Sequence, residues 1–180
     1  MTIISHNLTG KIDEKTVALL SEIDATAQNL KLAFFIVGTT ARDILLKHAH
    51  GIHTTRATLD VDIGVFVSDW EQFRTLKEAL VRTGKFSPTR QAQRLLFDNE
   101  LLLDIVPFKG IAEKNDSIFW PPEYDIQMSV AGFQECYQHA VLMGILRNKP
   151  WRCMTFPDSN QGLRSADSST AVPFPRSQRR

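Results

Sequence analysis

The chain has 180 residues, 43% of them apolar and 23% charged, which is enough for one domain with a real core and little more, in a soluble globular composition. The net charge is only +1, and it is uneven: residues 147–180 carry seven Lys/Arg against two Asp/Glu, while residues 1–146 carry fourteen against eighteen, which argues against a broad nucleic-acid face on the folded body. Two cysteines, Cys136 and Cys153, make neither a disulfide framework nor a C-x-x-C metal pair, no run is long enough to span a bilayer, and no basic start leads into a long apolar stretch, so a cytoplasmic protein with free thiols is expected.

Residues 13–32 read as a helix. Asp13 and Glu14 suit its positive start, and Val17, Leu20, Ile23, Ala27 and Leu30 recur at helical spacing. The apolar run from Ala33 to Val37 suits a buried strand, broken by Gly38-Thr39-Thr40. Either threonine can cap a helix from Ala41 to about His50. After a turn-like link comes a strand from Asp60 to Val67, in which Val61, Ile63, Val65 and Val67 alternate with Asp60, Asp62 and Gly64. Ser68 and Asp69 start another helix, which runs to about Thr83 and is ended by Gly84.

Gln91 to Phe97 and Leu101 to Phe108 read as two strands of a hairpin turning at Asp98-Asn99-Glu100. Residues 109–131 read as loop with partial strand alternation from Tyr124 to Val130, followed by a weak helix between Gly132 and Leu146. From residue 148 the periodicity ends. Pro150, Pro157, Pro173 and Pro175 stand among Ser and Arg, so the expected division is a domain over 1–147 and a disordered tail over 148–180. The fold class expected is α/β, a small mixed sheet flanked by helices.

Three features of this chain converge on one chemistry. A glycine turn joins strand to helix at Gly38, where backbone N–H groups can approach an anion closely. Asp60 and Asp62 point the same way from one strand, with Cα atoms about 7 Å apart. Asp104 interrupts an apolar strand, where an ionised carboxylate is costly unless it is paired or bound to a cation. Arg94 across the hairpin is the pairing partner at hand. Mg²⁺ takes one or two carboxylates together with substrate phosphates, so the pattern suits metal-assisted phosphoryl chemistry. The set His48, His50 and His53 lacks a zinc-site pattern and reads as a polar helix end.

Gly38-Thr39, then Asp60-Val61-Asp62, then Asp104 within Leu103-Asp104-Ile105 resembles the polymerase-beta-like nucleotidyltransferase superfamily. With Arg42 after the turn and Arg56-Ala57-Thr58 before the Asp pair, it looks most like the bacterial minimal nucleotidyltransferases, including abortive-infection-type toxins. The resemblance covers about residues 33–108. It implies transfer of a nucleoside monophosphate from a nucleoside triphosphate to a hydroxyl of a tRNA, a protein or a small molecule, and, for toxin-type members, a cognate partner protein. Asp60, Asp62 and Asp104 would be the catalytic carboxylates and the ligands of Mg²⁺ or Mn²⁺. Gly38, Thr39, Thr40, Arg42 and Arg56 would bind the nucleotide. Thr39 stands where the family carries Gly or Ser, and residues 148–180 do not continue as its members do. Two other readings therefore stay open: a non-catalytic nucleotide- or partner-binding domain of the same fold, or a truncated inactive product.

Overall fold

A computed structural model describes residues 6–7, 12–44, 46, 60–146 and 149–153. After a short strand β1 (His6–Asn7), helix α1 spans Glu14–Asn29, and its N-cap Asp13 accepts from the Thr16 N–H at 2.8 Å. Strand β2 (Ala33–Val37) leads directly into a six-residue helix α2 (Gly38–Asp43), and strand β3 covers Asp60–Val67. Helix α3 (Trp70–Arg82) is capped by Asp69, which accepts from the Gln72 N–H at 2.7 Å, and Gly84 beyond its end has φ +77°. Strands β4 (Phe86–Pro88), β5 (Arg94–Phe97) and β6 (Leu101–Lys109) follow, with Asp98 and Asn99 at positive φ in the β5–β6 turn. Strands β7 (Ser117–Trp120) and β8 (Ile126–Ser129) form a separate hairpin. Helix α4 (Phe133–Gln138) precedes β9 (Val141–Leu146) and β10 (Lys149–Cys153). No described helix is long and apolar enough to cross a membrane.

The fold is α/β. Eight strands form one mixed sheet in the order β1-β9-β10-β2-β3-β6-β5-β4. Its centre is the parallel pair β3–β6, in register from Asp60 opposite Leu102 to Val67 opposite Lys109. A parallel pair needs a crossover of a dozen residues or more, and α3 with β4 and β5 supplies it.

The two faces differ. Val61, Ile63, Val65, Leu95, Leu103 and Ile105 face one way and are buried with Leu19, Leu20 and Ile23 of α1 and Leu76 and Leu80 of α3. On the other face, Phe35 of β2 and Phe108 of β6 meet Phe133 and Tyr137 of α4 edge-on or tilted, at centroid distances of 5.7 to 6.1 Å. Gly64 lies beneath this cluster. A Cβ there would stand 2.4 Å from the Phe35 ring, so the absence of a side chain is what admits the aromatic layer.

Three expectations are corrected. Helix α2 starts at Gly38 rather than Ala41, and neither threonine caps it, since the N-cap is Val37 with no side-chain bond. The helix expected up to Leu146 stops at Gln138. Val141–Leu146 is a strand instead, an apolar run whose periodicity alone does not separate helix from strand. The stretch expected to be disordered from residue 148 includes β10, which pairs antiparallel with β9 and parallel with β2. Residues 154–180 lie outside the described residues. Strand β10 is interior and ties β9 and β1 to the rest of the sheet. A chain ending at residue 148 is expected to melt at least about 5 °C below one ending at Cys153, because a few kcal/mol of pairing moves a domain this size by that much. Equal melting temperatures by calorimetry would show that β10 adds nothing.

Candidate active site

The geometry grows from one row of residues across four strands. Val37 of β2 is opposite Asp62 of β3, Asp62 is opposite Asp104 of β6, and Asp104 is opposite Arg94 of β5. Residues paired in register and two apart on a strand share a face, so Asp60, Asp62, Asp104 and Arg94 all project from the face that carries Phe35 and Phe108. Helix α4 packs on the aromatic part of that face. The carboxylates lie at its other end, where β3 and β6 begin, and both Asp60 and Asp62 are half-buried.

The turn after β2 is built around Asp62. Gly38 has φ +66°, which few L-residues adopt, and a Cβ on it would stand 2.3 Å from Asp62 Oδ2. Glycine is therefore required twice, once by the backbone and once by the carboxylate packed against it. The Thr39 backbone N–H is close enough to the Asp62 carboxylate to favour its charged form. The Thr40 hydroxyl donates to the Asp60 carbonyl at 2.9 Å and so ties α2 to the start of β3. Residues expected to bind a nucleotide thus position the aspartates in this conformation.

Arg94 holds Asp104 with a fork: Nε donates to Oδ1 at 2.7 Å and Nη2 to Oδ2 at 2.6 Å, with side chains 19% and 16% exposed. The pairing partner anticipated across the hairpin is the one observed. Arg42 folds back on its neighbour, with Nε and Nη2 donating to Asp43 Oδ1 at 3.2 and 3.0 Å, although adjacent helical residues are expected to point apart. Arg56, His48, His50 and His53 lie outside the described residues.

The electrostatics follow from three carboxylates facing one guanidinium. Burial first, then Asp104 and Asp60, push the Asp62 carboxyl up to about 7, while Arg94 and the Thr39 N–H pull it back. Arg94 is held charged chiefly by its bond to Asp104, with the Asp60 and Asp62 charges adding to it. Among the described residues no group of three or more His, Cys, Asp and Glu is gathered to hold a metal ion. Asp60 and Asp62 nevertheless fit Mg²⁺, which needs only one or two carboxylates when water and phosphate complete its shell. A crowded, desolvated carboxylate pair is the setting that a divalent cation relieves.

The fold also forms a cleft that the sequence does not reveal. A cleft of about 960 Å³ opens between α3 and the β7–β8 hairpin, lined by Trp70, Phe73, Lys77, Trp120, Pro122 and Tyr124 among others, and none of the site residues borders it. Trp70 and Phe73 read as core from their helical spacing, and they do pack with Trp120, at centroid distances of 5.3 and 5.7 Å. Only the fold shows that this cluster also walls a cleft.

Two outcomes test this construction without any ligand. Gly38→Ala is expected to cost about 1–3 kcal/mol, from the left-handed backbone and the displaced Asp62, read as a lowered melting temperature. Asp62→Asn is expected to stabilise the metal-free protein above neutral pH. Its folded value lies above the unfolded 3.8, so ionisation disfavours the fold, and that penalty grows as pH rises from about 4 to about 7. In chelator, the wild-type stability measured against Asp62→Asn should fall across that window, by up to about 4 kcal/mol for a shift of three units. Parallel profiles would show that Asp62 is not crowded.

No family model and no curated protein matches the chain. Among solved structures it is similar to the antibiotic-resistance factor ANT(2'')-Ia in solution, at 21% identity over 80% of this chain and 67% of that one, with a TM-score of 0.46. It is also similar to ANT(2'')-Ia in complex with adenylyl-2''-tobramycin, at 22% identity over 78% and 69% of the two chains, with a TM-score of 0.48. Against the Thermotoga maritima CCA-adding enzyme complexed with tRNA the identity is 24% over 54% of this chain and 22% of that one, with a TM-score of 0.39.

Proposed function

We propose that the protein transfers a nucleoside monophosphate from a nucleoside triphosphate to a hydroxyl, with Mg²⁺ or Mn²⁺. The observation that carries this reading is the register of β3 and β6, which sets Asp62 beside Asp104 and Asp60 two residues away on the same face, next to the Gly38–Thr39 turn. Asp60 and Asp62 would hold the metal, which when bound supplies positive charge to the triphosphate and to the oxygens of the transfer.

The chain's own residues do the rest. The Gly38–Thr39 turn lies along the triphosphate. Thr40 anchors the start of β3 through its hydroxyl bond to the Asp60 carbonyl, and the Thr39 N–H favours the charged form of Asp62. The acceptor hydroxyl oxygen attacks the α-phosphorus, the bond to pyrophosphate breaks, pyrophosphate leaves, and Asp104 takes the hydroxyl proton. Roles for Arg42 and Arg56 at the phosphates belong to the same proposal. For Arg42 it requires release from Asp43.

A second reading is favoured by one observation. Both Asp104 oxygens are engaged by Arg94, as in a domain that binds a metal–nucleotide complex without turning it over. Calorimetric titration of each triphosphate, with and without Mg²⁺, tests the shared part. Wild type is expected to bind only with the cation, because carboxylates alone repel a triphosphate, and Asp60→Asn is expected to weaken binding at least about tenfold. Equal binding by wild type and Asp60→Asn would defeat the site. Transfer of labelled nucleotide to tRNA, protein or small-molecule hydroxyls then separates the two readings. Growth arrest on expressing wild type but not Asp60→Asn checks the toxin-like role, and co-purification of a bound protein checks the cognate partner.

A further inference from the structure

We propose that Arg94 is a built-in counter-ion that competes with the divalent cation for Asp104, so that the third carboxylate joins the site only when the guanidinium lets go. This deepens the reading above and rests on it.

The argument starts from charge. Three aspartates share one face of two adjoining strands, and each has the same sign. Arg94 stands in register with Asp104 on the next strand, within the field of all three. Its fork takes one donor to each Asp104 oxygen, at 2.7 and 2.6 Å. A carboxylate has about four lone-pair positions, and a fork of this kind uses the two that face it. A cation approaching from Asp60 and Asp62 meets Asp104 already neutralised, with a fixed positive charge behind it.

The arrangement therefore has two ways to satisfy its third carboxylate. With Arg94 closed on Asp104, one of the three charges is balanced without metal, and Asp60 with Asp62 forms a two-carboxylate site. With Arg94 displaced, Asp104 is free to ligate or to accept a proton. Arg94 is a positioning residue in this scheme. A purely structural role predicts the opposite sign for its removal: a structural strut, when cut, loosens the site and weakens the cation.

The test uses the full chain and Mn²⁺ alone, titrated by the resonance signal of the free ion, with thermal melts in chelator and in saturating Mn²⁺. Arg94→Gln is expected to bind Mn²⁺ about tenfold or more tightly than wild type, since one positive charge near a divalent ion has been removed. It is also expected to melt lower than wild type in chelator and to gain more from Mn²⁺. Should Arg94→Gln not fold, Arg94→Lys carries the test. It keeps the charge but gives up the fork, and tighter Mn²⁺ binding than wild type is again expected. Unchanged or weaker binding by the folded variant, while wild type binds and Asp62→Asn does not, would overturn this inference and leave the metal site standing. Absence of Mn²⁺ binding by wild type and variant alike would overturn both.

Discussion

The structure depends on the parallel pairing of β3 with β6. Eight register pairs run from Asp60 opposite Leu102 to Val67 opposite Lys109, and a slip of one residue would turn every side chain to the wrong face. The pairing holds because one face of both strands is a continuous branched apolar surface buried under α1 and α3, with Ile63, Val65, Leu103 and Ile105 fully buried. That burial fixes where the other face points, including the place where two carboxylates end up side by side. The core determines the position of the charged cluster; the charges do not.

The same face is divided by its own sequence. Towards the far ends of β3 and β6 the rows carry Phe35 opposite Gly64, and then Phe66 beside Phe108, whose rings meet at 5.8 Å. Helix α4 covers this part with Phe133 and Tyr137. At the near end the row is Val37, Asp62, Asp104 and Arg94. One aromatic half is closed by a helix, and one charged half is braced by the turn after β2. The glycines mark both transitions. Gly64 admits the Phe35 ring, and Gly38 admits the Asp62 carboxylate.

What was legible in the sequence follows from which signals are local. Strand β2 and strand β3 have the bounds that their apolar runs suggest, and α1 and α3 begin after Asp13 and Asp69, whose side chains cap them. The β5–β6 hairpin turns at the polar triplet, with Asp98 and Asn99 in the left-handed region that this residue type tolerates. Strands β9 and β10 were not legible, because their pairing is with each other and with β2, more than a hundred residues away in the chain. Asp104 beside Asp60 and Asp62 is expected from the resemblance and is what the register of β3 with β6 gives, although no spacing along the chain alone contains that placement. Arg94 was visible only as a pairing partner across a hairpin. Its position before all three carboxylates is a property of the sheet.

Stability alone does not account for that row. A half-buried ion pair gains Coulomb energy but loses hydration, and apolar residues of similar volume in its place are often neutral or stabilising. The neighbouring rows on this face show that the sheet accepts such residues, since Phe35 and Phe108 occupy the equivalent positions two and four residues along. Arg94 and Asp104 without Asp60 and Asp62 would be a strut with a simpler apolar substitute. Asp60 and Asp62 without Arg94 would leave Asp104 crowded with no counter-charge. Each half of the arrangement makes physical sense only with the other: the pair supplies the counter-charge that the crowded carboxylates lack, and the carboxylates give the pair a reason to be charged.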